Sequence, residues 1–398
     1  MTTGSPLSPR FKVLFRMRLA PLVLVAACAG CSSVGGHHGA HLHLVPPPPD
    51  TADHAAIDRP WWKDAGDPLL AQLIEQGLAH DPALACQAHA LARRNTIATA
   101  RSLKARLTRM VAPRDGAAMR MADTYDLAQI RSRRAANIAL AYIEARRWQE
   151  RIALRAQALA PLRDNAEIAR FRREAGLAAA LDGDMADVMT GLETTNVDAA
   201  RGHLAEAIAH LSTLTGALPD DLRVLLGPDG APPVFTAAPG EEDLSHRADL
   251  LALEIRLTAD LARHKITQDA IDAQLQAPGT ATPAIARWIK AQAQASAEWH
   301  EAAEALTTAT TRLAPLGHTQ ALATRAAGDA RLAYRNGAGS FATLYVAEAS
   351  ALAISERRVD TQAALAGAAV ALWSAQGRGW QPSDLKPSAN TGDFCGQP

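Results

Sequence analysis

The 398-residue chain carries 41 Lys and Arg against 41 Asp and Glu, so it has no net field to recruit nucleic acid or another strongly charged partner. Aromatic residues make up only 4% while AVILMFWYC residues reach 48%, with Ala the commonest of them. Ala has the highest helix propensity and a small side chain, so the composition favours long, closely approaching helices over thick-cored globules.

In chain order, Arg10, Lys12, Arg16 and Arg18 precede an apolar run over 19–27, too short to span a bilayer but suited to a signal-peptide core. The run ends at cysteine. Val25-Ala26-Ala27-Cys28 resembles the box of a bacterial lipoprotein signal, with Cys31 as the alternative lipidation site; Met17-Arg18 offers a second start. Residues 1–27 are therefore expected to be signal peptide. Residues 28–59, with His37, His38, His41, His43 and the prolines 46–49, read as an extended tether. Flexible imidazoles at such spacing can converge on one transition metal; the plain alternative is a polar spacer. Cys86 and Cys395 have no partner that spacing identifies, so no disulfide framework is visible.

Order is expected from Pro60-Trp61-Trp62, with Asp67 capping a helix that Pro68 starts and Leu69, Leu70, Leu73, Ile74 and Leu78 forming its apolar face. A helix follows from about position 82 past 100. Another runs from about 126 to 171, spanning roughly 65 Å, with apolar residues at threes and fours and a kink at Pro161. Residues 60–218 form a first helical repeat, 219–245 a Pro/Gly/Asp-rich connector, 246–380 a second repeat, and 381–398 a disordered tail. The duplication rests on Phe171-Arg172-x-x-Ala175-Gly176 and Tyr334-Arg335-x-x-Ala338-Gly339, whose glycines lie 163 residues apart, and on an upstream echo between His80-Asp81 and His246-Arg247. In each copy the glycine is expected to turn a helical hairpin with positive φ.

These residues together resemble a known family. A lipidated Cys, a Pro-rich tether, Trp61-Trp62 with Gly66-Asp67-Pro68, paired Ala-Gly hairpins, His246-Arg247-Ala248-Asp249-Leu250 with Glu254, and terminal Gly377-Arg378-Gly379-Trp380 resemble TolC-like outer-membrane efflux lipoproteins of the nodulation-factor type. Members usually carry Arg-Pro-Asp-Ile and Gly-Gly-Gly-Trp at the last two places. The resemblance implies a mainly α fold of two tandem coiled-coil hairpins. It also implies a homotrimer forming a hollow periplasmic cylinder under a β-barrel, and an anchor in outer-membrane lipid. A periplasmic adaptor and an inner-membrane resistance-nodulation-division pump are the implied partners, with no cofactor and no nucleic acid.

In that family, acids just past the hairpin glycine help close the duct. Alignment on the glycines places Asp182 and Met185 in the first repeat opposite Tyr345 and Glu348 in the second, so only half the acids remain; Asp182 and Glu348 are the candidate gate, with Arg172 and Arg335 as partners across each turn. Gly176 and Gly339 become the tips an adaptor would grip. The chain departs from the family over 106–124 and 266–284, where about twenty residues broken by Pro and Gly cannot supply two spanning strands of roughly nine to eleven residues each. No His-Glu-x-x-His, Gly-x-Ser-x-Gly or phosphate-cradling loop argues for an enzyme. The expectation is a passive export conduit of a tripartite pump, the alternative a barrel-less periplasmic scaffold or a degenerate non-conducting paralogue.

Overall fold

A computed structural model describes residues 60–107, 115–177 and 180–381; the signal-like segment, Cys28, Cys31, the tether with its histidines and the tail from Pro382 lie outside them. Every regular element among the described residues is a helix. The short α1 (Trp61–Asp64) leads into α2 (Pro68–His80) and α3 (Pro82–Leu107), followed by the 60-residue α4 (Asp115–Glu174) and α5 (Ala180–Thr215). A small α6 (Pro219–Leu226) and an irregular stretch lead to α7 (Ala248–Arg263), α8 (Gln268–Gln276), α9 (Pro283–Leu313), α10 (Leu316–Arg335) and α11 (Phe341–Ala375).

Helix α4 is longer than its apolar pattern suggests. It begins eleven residues before position 126, stays helical on both sides of Pro161, and at 1.5 Å per residue extends about 90 Å. In the second repeat the matching rod is divided at Ala314-Pro315 into α9 and α10, because Pro315 has no N–H to donate back along the helix.

Both repeats share one plan. α4 descends and α5 returns beside it only part of the way. At the end of α5 the chain meets the end of α2: a Cβ on Gly77 would lie 3.0 Å from the Leu214 carbonyl, and one on Gly216 would lie 3.6 Å from the His80 Cβ. α3 therefore continues where α5 stops, both lying along α4. The second half repeats the arrangement, with the end of α11 at Gly377 set against His246 and Arg247, where α7 begins. α4 contacts α2, α3, α5, α7 and α11 and is the spine of the molecule.

The connector is partly ordered by that spine. Leu222 and Leu226 of α6 are buried, and Arg146 of α4 donates to the Leu226 carbonyl at 2.9 Å while Gln149 donates to the Gly227 carbonyl at 2.7 Å. A cation at a helix C-terminus satisfies orphan carbonyls and suits the helix dipole. Asp67 does double duty nearby. Its Oδ1 accepts from the Leu70 N–H at 3.0 Å as the cap of α2, and its Oδ2 accepts from the Tyr142 hydroxyl at 2.8 Å. Burial is the main reason the Tyr142 phenol is pushed up to about 12.

Candidate functional site: hairpin tips, seam and junction

The two tips turn identically, but not where residue types alone align them. At the first, the Gly176 N–H donates to the Arg173 carbonyl at 2.9 Å and the Leu177 N–H to the Arg172 carbonyl at 2.7 Å. At the second, the same pair of bonds runs from Gly337 to Tyr334 at 3.0 Å and from Ala338 to Ala333 at 2.8 Å. Gly176 has φ +70° and Gly337 has φ +76°, while Gly339 is not among the positive-φ residues. The structural register is thus 161 residues, and the end-of-helix glycines Gly216 (φ +73°) and Gly377 (φ +74°) keep the same spacing. This corrects the expectation of positive φ at Gly339. The second turn holds two glycines, and matching on the Ala-Gly pair selected the wrong one. Gly339 still lies in the turn, where a Cβ would come within 3.2 Å of Ala333 and Tyr334.

The register also changes which residue of the first repeat answers Glu348. Glu348 is not on an open face: its side chain is 10% exposed. It accepts from Arg331 Nε of α10 at 2.9 Å and from Asn165 Nδ2 of α4 at 3.1 Å to each oxygen. Its repeat counterpart is Asp187, which faces Arg170 at 3.6 Å as Glu348 faces Arg331. Met185 is therefore not its equivalent, and the first repeat also carries a carboxylate at this place. Arg172 donates to the Tyr334 carbonyl at 3.0 Å with its guanidinium 5.0 Å from the Tyr334 ring centroid. Arg335 pairs with Asp164 of α4 at 3.6 Å. Both arginines therefore reach across to the other hairpin rather than bridging their own turn. Asp182 stands half-buried in the first turn of α5. Burial raises the Tyr334 phenol, with Arg172 opposing and Asp182 adding to the rise.

Above the tips, α4 and α11 are joined by a ladder that sequence reasoning missed. Arg147 reaches Asp360 at 3.1 Å, Arg151 reaches Glu356 at 3.2 Å and Asp360 at 3.3 Å, and Arg155 lies between Glu356 (2.7 Å) and Glu193 of α5 (3.1 Å). The signal was in the spacing: three arginines at intervals of four and two acids at the same interval put each set on one helical face. The Arg155, Glu193 and Glu356 end is enclosed, and deleting one partner there strands a charge at a cost of about 3 to 5 kcal/mol, whereas the more exposed Asp360 is screened by water and contributes less.

Part of the set that resembles the family, Trp61, Trp62, Arg247, Asp249, Gly377 and Gly379, meets where α11 ends and α7 begins. Trp61 stacks on Trp373 at 5.0 Å and meets Trp62 edge-on at 5.5 Å. A Cβ on Gly379 would come within 3.1 Å of Trp61 Nε1 and Ser132 Oγ. Arg247, 5% exposed, makes a two-pronged bond to Asp249 (3.0 and 2.7 Å) and reaches Glu298 at 2.7 Å. Burial pushes Asp249 up, but the hydrogen bonds and charge of Arg247 outweigh it and hold the carboxyl below its ordinary value. Cys86, for which spacing identifies no partner, is disulfide-bonded.

Among the described residues no group of His, Cys, Asp and Glu could hold a metal ion, and no helix is long and apolar enough to cross a membrane. An open groove of about 480 Å³ between α4, α5 and α6 is lined by Leu204, Ile208, Val224 and Leu226 with Arg201 and Arg223. It gathers no nucleophile, base and orienting group.

No protein-family model matches this sequence, and no curated protein matches it. Solved structures do. The outer-membrane channel OprN is 21% identical with a TM-score of 0.66, over 85% of this chain and 100% of that one. The outer membrane protein VceC from Vibrio cholerae is 18% identical with a TM-score of 0.65, over 81% and 99%. A membrane protein from Pseudomonas aeruginosa is 17% identical with a TM-score of 0.66, over 79% and 94%. The chain therefore has the TolC-like helical channel fold, with no strand of its β-barrel among the described residues.

Proposed function

We propose that this chain is the helical duct component of a tripartite efflux pump: a passive conduit for drugs or other small molecules, held to the outer membrane by lipid on Cys28 or Cys31. It assembles as a homotrimer and works with a periplasmic adaptor and an inner-membrane resistance-nodulation-division pump that supplies the energy. It is not an enzyme. Gly176 and Gly339 lie in the tips offered to the adaptor, with Asp182, Glu348, Arg172 and Arg335 around the closing end.

One observation carries this reading. α11 lays Glu348 and Glu356 on α4 and buries Val359, whereas the residues 161 positions earlier on α5, Asp187, Thr195 and Asp198, are exposed. Val359 is 4% exposed and the Asp198 side chain 65%. The complementary face behaves alike. Asn165 and Arg151 of α4 lie in the seam, and their counterparts Ala326 of α10 and Arg312 of α9 are exposed. One protomer thus contains a closed seam and, at its two sides, the two open halves of another. Cyclic assembly closes them, setting α5 acids against Arg312 of the next copy.

A second reading, a non-conducting periplasmic scaffold, is favoured by the connections at the other end. Only seven residues separate Leu107 from Asp115, and α8 with a 3-10 turn at Pro278–Thr280 occupies the place of the second hairpin. Backbone in a bilayer must be paired within a closed barrel, and these segments cannot form one. Crosslinking in membranes, outside-in protease access and planar-bilayer recording test both readings. A trimer held at the outer membrane, silent in the bilayer, whose removal lowers export supports the duct. The same silent trimer without an export defect supports the scaffold. A chain that stays monomeric overturns both, and stable conductance by the chain alone overturns the barrel-less architecture.

A further inference from the structure

α5 answers to α11, and α4 answers to the divided rod of α9 and α10, with the 161-residue offset kept along their length. Ile138, Ala141 and Ala145 of α4 are buried, as are Trp299, Ala302 and Leu306 of α9. Ala207 and Leu211 of α5 are buried, as are Ala368 and Leu372 of α11. The faces that pair within each repeat therefore match. The next face does not. Ala363, Ala366 and Val370, which continue the face of Glu356 and Asp360 at intervals of three and four, are at most 7% exposed, while their counterparts Gly202, Ala205 and Ala209 of α5 are exposed.

Each contact of the seam inside the protomer thus names a contact across the joint between copies, where α5 of one copy meets α9 and α10 of the next. This step rests on the homotrimer reading. Three of the transferred contacts lose their ion pair. Arg147 with Asp360 (3.1 Å) becomes Thr308 with Ala199, Arg151 with Glu356 (3.2 Å) becomes Arg312 with Thr195, and Arg155 with Glu356 (2.7 Å) becomes Leu316 with Thr195. A fourth turns repulsive. A Cβ on Gly367 of α11 would lie 3.6 Å from Leu140 Cδ2 of α4, and the counterparts of these two residues are Glu206 and Glu301.

We propose that α5 of one copy packs on α9 of a second in this register, with Glu206 set against Glu301, and that this joint gives way before the seam inside each copy. In the single chain both carboxylates stand in solvent, the Glu206 side chain 78% exposed. Glu304, exposed and one turn from Glu301, adds charge of the same sign. His203, 3.2 Å from Glu206, offsets its charge only when protonated. Like charges brought together across an interface oppose association. The inner seam has the opposite character, since Arg155, Glu193 and Glu356 are paired and enclosed. A ring built this way parts at its joints and leaves each protomer whole.

The test follows subunit exchange between two differently tagged pools of the purified full-length trimer in detergent at low salt, read by native mass. Glu301→Lys or Glu206→Lys sets opposite charges at every joint, and losing one copy breaks two joints, so either change should slow exchange by about 5- to 30-fold. Glu206→Lys with Glu301→Lys in one chain restores like charges and should return exchange to the rate of the unaltered protein. A photoreactive benzoylphenylalanine at Ala199 should link to the segment around Thr308 of a second copy. Exchange that Glu301→Lys leaves unchanged or speeds overturns the facing carboxylates. Exchange that EDTA speeds does the same, because a shared cation would then be holding them together. A trimer whose links from Ala199 map to another segment overturns the register and spares the homotrimer, and a chain that is monomeric both in membranes and in detergent overturns both.

Discussion

Three glycines end helices with nearly the same backbone angle but different surroundings, and together they separate conformational strain from crowding. Gly176, Gly216 and Gly377 have φ of +70°, +73° and +74°. An Ala at any of them must hold a left-handed conformation, costing about 1 to 2 kcal/mol. At Gly176 the new Cβ would meet nothing within 4 Å, and at Gly216 only the His80 Cβ at 3.6 Å. At Gly377 it would lie 2.5 Å from both the carbonyl carbon and oxygen of His246 and 2.6 Å from the Arg247 nitrogen. An ordinary contact needs roughly 3.4 Å, so the start of α7 must retreat by about 1 Å. It cannot do so freely, since Arg247 is pinned to Asp249 and Glu298. Overpacking of a fixed core adds about 1 to 3 kcal/mol, so Gly377→Ala should cost roughly 2 to 5 kcal/mol in all. Urea unfolding followed by the fluorescence of Trp61, Trp62 and Trp373 reads the difference. A Gly377→Ala midpoint no lower than that of Gly216→Ala would show that the end of α11 does not rest on the start of α7.

Gly176→Val and Gly337→Val should each cost about 1 to 3 kcal/mol and weaken adaptor binding, while Gly339→Ala costs less than either; the opposite order would restore the 163-residue register. Mass spectrometry of the mature N-terminus should find acyl chains on Cys28, with Cys31 as the alternative, and an unmodified terminus downstream of both sinks the anchor. Because Arg247 holds the Asp249 carboxyl low, its contribution is present above the ordinary carboxylate range and lost as pH falls through the folded value. Asp249→Asn should therefore cost about 1.5 to 3 kcal/mol at neutral pH, with the gap to the unaltered chain closing below about pH 4. A gap that does not change with pH contradicts that linkage.

The helices and the duplication were legible because they rest on local signals: Ala-rich stretches, caps such as Asp67, and turn glycines. The register was not. Two glycines share the second turn, and only the hydrogen bonds from Gly337 and Ala338 decide which matches Gly176. The correspondence of the acids between repeats went astray for the same reason, since moving the frame by two residues exchanges Met185 for Asp187 as the counterpart of Glu348. Long-range partners lay further from view. Nothing local links Arg155 to Glu193 and Glu356 or Asn165 to Glu348, and the pairing follows only once α5 and α11 flank α4.

The position of the family-like residues explains how the helical half can stand without a barrel. Trp61, Trp62, Arg247, Asp249, Gly377 and Gly379 all lie at the junction where the second repeat closes onto the first. None belongs to 106–124 or 266–284, the stretches from which a barrel would grow. Within the second stretch Ile271 of α8 is fully buried and α8 packs on α9, so that end of the rod satisfies its own apolar surface. The core that holds the repeats together therefore draws nothing from membrane strands. A helical half can therefore hold together through this junction with no strand contributing to it. Resemblance at this junction reports the packing of the repeats, and the ability to conduct has to be measured separately.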